Sequence, residues 1–479
     1  MSRFRYLCIH GHFDQPPRGN PLTGHIGEEA SAGEYRNWNE RATAESYRPN
    51  AEIGNFEHIS FDLGPSLLNW LQQRHPNTYQ QIKESYDQHR KENAAGNGLG
   101  TPMYHAILPL LKPRDIRLQL VWGRYAFTHH FGYEPQGLWL PEMAVDPITL
   151  RIAHEIGYKY VILAEGQVHG VRNGSGPYWI DLGDDQRIAA FVRNDELSND
   201  LSFNIATVGG AGHWARNRLP GPRGQLTLIA IDGETFGHHH IGEEQFLHWL
   251  LAHEAASVGY RVVTLDQYLQ EFPPQEYIEV KPFSSWSCYH GVNRWFAGCA
   301  CTEGDSTWKP ALSLALERAA DVIDDLYAET AFGVGLVPRT LREEYIQVLL
   351  GEIDGLTFLR ARAPHIGEED ATRLLGLLEA QSWVARSLTS DGMYGADFDC
   401  AEGRSVIVSM GYALLAAERA TGEHLIDTYR NALQQVRSGI TGMTGQEIFD
   451  ALALEYGMIT PPTPADQADM QPETLPDPV

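Results

Sequence analysis

The sequence has no long apolar run. The first apolar stretch, residues 6–9, is far too short for the core of a signal peptide, and no later stretch is long enough to span a bilayer. These absences predict a cytoplasmic protein without a membrane partner.

Basic residues are also scarce. The 37 Lys and Arg residues are outnumbered by 62 Asp and Glu residues, which gives a formal net charge of -25, and no basic run offsets it locally. The electrostatic field of this negative charge repels polyphosphates, so we expect no nucleic-acid partner. A neutral sugar would feel little of this field, and the 11 Trp and 21 Tyr residues suit stacking against sugar rings.

Cysteine is rare and odd in number. Three of the five cysteines, Cys288, Cys299 and Cys301, are crowded together. A chain of this size with so few cysteines does not fit a secreted disulfide framework, so reduced thiols are expected.

Short β-rich runs alternate with amphipathic helical stretches from residue 3 to about residue 272. This alternation is typical of a parallel sheet with crossover helices. Asp146 and Pro147 supply an N-cap and a first-turn proline for a helix that Gly157 ends, and a second helix is predicted over residues 243–257. The predicted strands are 3–10, 53–63, 137–141, 158–164, 188–192, 226–231 and 260–264. These units, about seven in number, favour an α/β fold for residues 1–282, with the sheet closed into a barrel or strongly curled.

Helical periodicity replaces the strand pattern after Pro282. We therefore predict an all-α domain over residues 283–459. Its helices are expected at 308–327, 341–361, 368–388, 406–420 and 424–437. The last residues, 460–479, hold six prolines and several acids with almost no large apolar side chain, which predicts a disordered tail.

Two carboxylates follow apolar strands directly. Glu142 ends the run Gly-Leu-Trp-Leu-Pro-Glu, and Asp232 ends an alternating strand before a glycine turn. The carboxyl ends of parallel strands carry the chemistry of α/β folds. Hydrolysis of a glycosidic bond needs an acid and a second carboxylate, and this pair meets that need. Either acid taken alone is more simply explained as a helix N-cap or a surface acid.

Histidines gather at the same predicted rim. His10 and His12 lie two residues apart at the end of the first strand and so share a face, and His105 follows a glycine-rich loop. They would supply hydrogen bonds to sugar hydroxyls, as would His238 just after Asp232.

Two other interpretations of these histidines stay open, satisfied core residues and a metal site. The metal site would combine His10, His12, His105 and Asp14 or Asp232, as in a metal-dependent polysaccharide deacetylase. As a class, those enzymes carry two histidines four residues apart on a helix. None of the 20 histidines has a histidine partner at that spacing.

Taken together, these motifs resemble glycoside hydrolase family 57. His10-Gly-His12-Phe-Asp-Gln15-Pro is similar to the family's His-x-His-Gln-Pro signature, with two residues intervening before Gln15. Residues 96–109 look like its Gly-Asn region ending in histidine, Trp139-Leu-Pro-Glu142 matches the nucleophile motif, and Asp232-Gly-Glu234 matches the motif of the acid and base.

This resemblance implies a distorted (β/α)7 barrel followed by a helical domain. It also implies a retaining double displacement on α-glucans, with Glu142 as nucleophile and Asp232 as acid and base. Gln15, Trp139 and Glu234, as members of the motifs, are then expected to bind substrate with the histidines. Members include amylases, 4-α-glucanotransferases and branching enzymes, and whether water or another glucan chain is the acceptor stays open.

The segment 283–296 at the domain junction is rich in aromatic residues. Family members place aromatic side chains of the helical domain over the cleft, so we expect Trp286 and Trp295 to bind substrate, with interdomain packing as the alternative. The nearby cysteines and His290 are candidate zinc ligands, but they lack a Cys-x-x-Cys pair, so we predict neither a metal nor another cofactor. A non-catalytic carbohydrate-binding protein is the remaining alternative for the chain as a whole.

Overall fold

The computed structural model describes residues 5–20, 23–221, 224–302 and 304–458. Its strands are β1 (Arg5–Phe13), β2 (Ser60–Leu63), β3 (Gly98–Leu99), β4 (Gly137–Leu138), β5 (Tyr160–Ala164), β6 (Val168–His169), β7 (Tyr178–Gly183), β8 (Gln186–Arg193), β9 (Leu226–Asp232), β10 (Tyr260–Val262) and β11 (Glu279–Val280).

Seven of these strands form a ring in the order β9, β1, β2, β3, β4, β5 and β8. The pairs within the ring's two sheets are parallel. Only the parallel bridge Gly100–Leu138 joins the two-residue strands β3 and β4. On the other side, the amide of Asn194, just after β8, donates to the carbonyl of Leu228 in β9 at 2.7 Å. The result is a seven-stranded barrel, closed through two narrow seams.

The remaining strands flank this ring. β10 runs parallel to the start of β1, β7 forms an antiparallel hairpin with β8, and β6 pairs with β11.

Alternation along the strands selects the side chains inside the barrel. Cys8 of β1, Phe191 of β8 and Leu228 of β9 belong to one buried apolar cluster. Because side chains two residues apart share a face, the same alternation carries His12 and Asp232 to the carboxyl-end mouth of the barrel.

Helices connect the strands and cover the barrel. The α-helices of this part are Trp38–Ala42, Arg48–Glu52, Asn55–His58, Pro65–Arg74, Pro76–Asn93, Pro113–Phe131, Pro147–Ile156, Asp195–Asn204, Ala211–Arg218, Glu244–Trp249, Ala255–Ser257 and Leu265–Glu271. Short 3-10 or π turns lie at Ala30–Ala32, Thr43–Tyr47, Leu108–Leu110, Pro141–Met143, Glu165–Gln167, Ile205–Thr207, Gly233–Thr235 and Leu250–Glu254.

After β11, the regular secondary structure of the described residues is entirely helical. The helices are Asn293–Phe296, Trp308–Gly333, Pro338–Glu344, Ile346–Leu349, Gly355–Arg362, Glu368–Ser387, Asp391–Tyr394, Ala401–Thr421, Ile426–Leu433 and Gly445–Glu455. They enclose a separate apolar core. The exact boundary at residue 282 stays a prediction, and the predicted disordered tail lies outside the described residues.

The helical part braces one side of the barrel. The indole nitrogen of Trp122, on the helix that connects β3 with β4, donates to the carbonyls of Arg342 and Glu343 at 3.1 and 3.0 Å. The Gln119 side chain of the same helix donates to the Ala385 carbonyl at 2.8 Å. Among the described residues, no helix is long and apolar enough to cross a membrane.

Several predicted elements occur where the sequence placed them. Asp146 caps the helix Pro147–Ile156 by accepting from the amides of Ile148 and Thr149, and Gly157 ends it with φ 109°. The predicted helix over 243–257 is interrupted by the π turn Leu250–Glu254, and the one over 341–361 consists of three shorter helices.

Two strand predictions need correction. The run at 53–63 is extended only from Ser60, since residues 55–58 are helical. The predicted strand at 260–264 corresponds to β10, which lies outside the ring, and the glycine-rich β3 takes its place.

Candidate active site

A cleft of about 660 Å³ opens at the carboxyl ends of the barrel strands. Its walls carry eight of the predicted site residues, namely His12, Gln15, His105, Glu142, Asp232, Glu234, His238 and Trp286. The helical part contributes Asp391 and Tyr394. The cleft therefore lies between the barrel mouth and the helical region.

Glu142 sits on a tight turn just beyond β4. Its φ is 56°, in the left-handed region that residues with a side chain rarely adopt, and Met143 follows with φ 47°. The turn is held by the amide of Trp286, which donates to the Glu142 carbonyl at 3.0 Å. The indole nitrogen of Trp286 also donates to Glu142 Oε2 at 3.0 Å, so one residue fixes both the backbone and the carboxylate.

Asp232 ends β9 opposite His12 of β1 in the parallel register. Its side chain is open to the cleft, but the protein around the cleft still desolvates it. Desolvation raises the pKa of Asp232 above its ordinary value, against the attraction of His12 and His105. A carboxyl with a raised pKa retains its proton to higher pH, which suits a proton donor.

Glu234 lies beneath Asp232 and is buried. The Tyr47 hydroxyl donates to Glu234 Oε1 at 2.6 Å, and the Gln15 amide donates to the Tyr47 oxygen at 3.2 Å. Desolvation raises the pKa of Glu234 well above its ordinary value, and the neighbouring Asp232 adds to the rise. The buried Tyr47 thus links two residues of the cleft wall, Gln15 and Glu234, in one hydrogen-bonded chain.

His10 and His12 stack on one indole. Their rings lie 4.9 and 4.7 Å from the Trp139 ring centroid, each at 17°. Both also contact the buried Asp62, through His10 Nε2 at 3.1 Å and His12 Nδ1 at 2.9 Å. Burial lowers the pKa of His12 to about 4 and raises the pKa of Asp62 to about 6. His10 and Trp139 are fully buried and support the cleft from below.

His105 links the barrel to the helical part. Its Nε2 lies 3.0 Å from His12 Nε2, and its Nδ1 lies 2.7 Å from the Ser390 hydroxyl. Desolvation lowers its pKa, but the carboxylates around it, foremost Asp14 and Asp391, outweigh that effect and raise the pKa of His105 above its ordinary value.

Asp14 lies beside His105 in the cleft, with their ligand atoms within 4.8 Å of each other. Desolvation raises its pKa to about 6, although His105 opposes the rise. The position depends on Gly64, since a Cβ there would lie 1.7 Å from Asp14 Oδ1.

Of the two remaining predicted residues, His238 lies on the cleft wall and Trp295 does not. His238 lines the cleft and contacts Glu45 through Nδ1 at 2.5 Å. Trp295 is buried outside this cleft and lines a separate cavity of about 180 Å³ beside Lys112 and Leu316. Tyr394 of the helical part lines the cleft together with Trp286, and its ring lies 6.0 Å from Trp295 and 3.7 Å from the Arg294 guanidinium.

Sequence reasoning missed several contributors. Asp62 could have been found from the strand Ser60-Phe-Asp-Leu, because it aligns with His12 in the register. Arg193 directly follows the predicted strand 188–192 and so carried a similar signal, whereas Tyr47, Asp391 and Tyr394 carried none. Arg193 ends β8, donates to the Ala230 carbonyl at 2.9 Å and lies 5.0 Å from the Trp286 ring.

Two groups of side chains in the described residues have the chemistry of metal ligands. Asp14, His105 and Asp391 lie together within the cleft. This set differs from the one expected from sequence, in which His10 and His12 were included. The second group, Cys288, His290, Cys299 and Cys301, lies in the segment that carries Trp286.

Comparison with known proteins identifies the family of this chain. The sequence model of glycosyl hydrolase family 57 matches residues 20–281, more than half of the chain. A second model, for a domain of unknown function (DUF3536), matches residues 305–460. The chain belongs to glycosyl hydrolase family 57.

Two curated relatives are an alpha-amylase of Pyrococcus abyssi and a 4-alpha-glucanotransferase of Thermococcus kodakarensis, each 24% identical. The matches cover 62% and 60% of this chain but only 42% and 41% of the relatives. The matched part of the chain therefore spans less than half the length of either relative.

Among solved structures, an exo-type maltose-forming amylase from Pyrococcus sp. ST04 superposes with a TM-score of 0.72 at 14% identity, covering 93% of this chain and 88% of that one. The predicted fold, a distorted seven-stranded barrel followed by helices, is confirmed.

Proposed function

We propose that the protein is a retaining glycoside hydrolase or transglycosylase that acts on α-glucans, with Glu142 as nucleophile and Asp232 as acid and base. The observation that carries the proposal is that both carboxyl groups face one cleft from separate strand ends. They differ in environment, since Glu142 accepts a hydrogen bond from Trp286 whereas the pKa of Asp232 is raised. Unlike environments are what separate a nucleophile from a proton donor.

The reaction would run in two steps. Asp232 gives its proton to the glycosidic oxygen as the bond to the anomeric carbon breaks and a Glu142 oxygen bonds to that carbon. In the second step, the Asp232 carboxylate takes a proton from water or from a glucan hydroxyl, and that oxygen displaces Glu142. The acceptor decides between hydrolysis and transfer.

The substrate class follows from the surroundings of the acids and from the relatives. The cleft presents histidines, carboxylates and the faces of Trp286 and Tyr394, which suits a neutral, hydroxyl-rich ring. The relatives named alpha-amylase and 4-alpha-glucanotransferase support an α-glucan.

Incubation with maltooligosaccharides and with amylose, followed by product analysis, tests this proposal. Shorter products indicate hydrolysis, and longer or branched products indicate transfer. Proton NMR of the first products should show the α-anomer, and the β-anomer would establish inversion instead. Binding without turnover would favour the non-catalytic alternative.

Variants assign the two roles. Glu142→Gln and Asp232→Asn should each abolish turnover while the fold is retained, whereas Glu134→Gln, on the surface before β4, should leave it unchanged. Full activity of Glu142→Gln would require another nucleophile.

A metal-dependent polysaccharide deacetylase is a second candidate, because Asp14, His105 and Asp391 lie close enough together to hold one ion in the cleft. It predicts acetate release from an acetylated polysaccharide, lost on chelation and in Asp391→Asn. Activity on amylose that survives chelation would favour the glycosidase.

A further inference from the structure

The segment that carries Trp286 also contains four potential metal ligands in sequence order. Cys288, His290, Cys299 and Cys301 each offer one ligand atom, and these atoms all lie within 4.8 Å of one another. None of the four lines the cleft.

The distances match the edges of a tetrahedron. Cys288 Sγ lies 3.5 Å from Cys299 Sγ and 3.6 Å from His290 Nδ1, and Cys301 Sγ lies 3.6 Å from the same nitrogen. A tetrahedral zinc site with Zn–S of about 2.3 Å and Zn–N of about 2.0 Å has edges of about 3.5 to 3.8 Å between its ligands. A disulfide would require about 2.05 Å between sulfur atoms.

Local backbone geometry brings the two ligand pairs together. Gly291 and Gly298 have φ of 68° and 79°, and they flank the short helix Asn293–Phe296. A Cβ at Gly291 would lie 2.1 Å from the Phe283 carbonyl oxygen, so a side chain would not fit there. The chain thus turns back on itself and places Cys299 beside Cys288.

We propose that Cys288, Cys299 and Cys301, as thiolates, and His290, through Nδ1, bind one zinc ion. Four protein ligands fill the tetrahedron and leave no position for water, which is the arrangement of structural zinc sites. The site does not depend on the glycosidase proposal.

A buried cation lies close to this centre. Lys309 is fully buried, and its Nζ donates to the Arg294 carbonyl at 2.6 Å. Desolvation and the Arg294 guanidinium lower the pKa of Lys309 to about 8, and Cys299 opposes this shift. Three thiolates and one zinc ion carry a net charge of -1, which would offset the buried charge of Lys309.

The ion would fix the segment against the cleft. Trp286 lies two residues before Cys288 and holds Glu142 through its amide and its indole nitrogen. Without zinc, the turn through Gly291 would be restrained by the packing of Val292 and by hydrogen bonds such as Val292 N to the Phe283 carbonyl at 3.0 Å. Zinc would therefore order the wall that positions Glu142.

Metal analysis of the full-length protein, purified without chelator or affinity tag, tests the site directly. We expect about one zinc per chain, with little iron or copper. Cys288→Ser and Cys301→Ser should lose at least about nine-tenths of this zinc. Cys400→Ser should retain it, because Cys400 only caps a distant helix by accepting from the Gly403 amide. Asp391→Asn should also retain it, which separates this site from the cleft group.

Two measurements on the wild-type chain test the proposal even if the cysteine variants fail to fold. Alkylation mapped by mass spectrometry should spare Cys288, Cys299 and Cys301 until a chelator is added, and the segment 283–302 should then exchange its amide hydrogens faster. Replacement of zinc by Co²⁺ should give the visible absorption of a tetrahedral thiolate centre. Absence of zinc, its retention in both cysteine variants, or a disulfide between Cys288 and Cys299 would overturn the proposal.

Discussion

Trp286 and Glu142 are joined twice, once through the backbone and once through the side chains. The amide of Trp286 donates to the Glu142 carbonyl, and its indole nitrogen donates to Glu142 Oε2, each at 3.0 Å. Since Glu142 has φ 56°, this double contact also holds a turn that would otherwise relax.

Loss of the indole hydrogen bond should slow the reaction. Trp286→Phe keeps an aromatic ring on the wall but cannot donate to Glu142. A hydrogen bond to a charged group contributes about 1.5 to 3 kcal/mol, so kcat/KM on maltooligosaccharides should fall about 10- to 100-fold. Trp249→Phe, on an exposed helix, should leave the rate unchanged. Equal rates for Trp286→Phe and wild type would mean that the backbone contact alone orients Glu142.

Tyr47→Phe should impair the hydrogen-bonded chain of Gln15, Tyr47 and Glu234 without removing an acid. The buried Glu234 would lose the hydroxyl that donates to it at 2.6 Å, and its pKa, already well above the ordinary value, would rise further. We expect a loss of roughly 10-fold in kcat/KM, with a smaller loss in Gln15→Ala, which removes only the next member of the chain. Steady-state kinetics of these variants measure the loss, and Tyr133→Phe, which changes an exposed tyrosine, is the control. An unchanged rate would limit Glu234 to a packing role.

His105→Asn should move the alkaline limb of the pH profile upward. His105 favours the charged form of Asp232 and so lowers its pKa, against the larger effect of desolvation. Without that positive charge the pKa of Asp232 rises, and the acid form persists to higher pH. The alkaline limb of the pH profile of kcat should shift to higher pH by roughly half a unit. A full pH profile measured with maltotetraose as substrate checks this. A downward shift would show that another group donates the proton.

His130 should make stability depend on pH. Burial lowers its pKa to about 4, below the ordinary 6.5, so the unfolded chain binds this proton more readily than the folded one between those values. The free energy of unfolding therefore falls as the pH drops from 6.5 to 4, by up to about 3 kcal/mol from this group.

The His130 effect can be isolated by substitution. Urea unfolding of His130→Phe at pH 7 and pH 4.5 should show a smaller pH difference than wild type, while His365→Gln, on the surface, should not. If the free energy of unfolding fell equally in all three proteins, the acid sensitivity would belong to other groups, such as His12 or His239.

Much of the fold followed from the periodicity of the sequence, and the exceptions have a physical origin. β1, β5, β8 and β9 are long apolar runs, buried as parallel strands require. β3 has only two residues, one of them glycine, and its place in the ring depends on partners distant in sequence. Tyr260–Val262 has strand composition, but it joins only the lower end of β1 and so lies outside the ring.

The candidate site was predictable where a residue ends a strand. His12 and Asp232 lie at the ends of their strands and Glu142 lies on the turn after β4, and the structure brings the three together. Asp391 and Tyr394 reach the cleft from a helical turn, and the buried Tyr47 reaches Glu234 from another, where position in the sequence does not indicate direction. The four cysteine and histidine ligands lacked the usual pair spacing, because two glycine turns rather than one hairpin bring them together.

The two-residue strands β3 and β4 leave one seam of the barrel thin, where the bridge between Gly100 and Leu138 joins the two sheets. The helix between these strands is also the one that Arg342, Glu343 and Ala385 hold from the helical side. The helical region thus completes a wall that the sheet leaves thin. A chain divided between the barrel and the helical region would leave the Trp122 indole and the Gln119 amide without their carbonyl partners, beside the thinnest strands of the sheet.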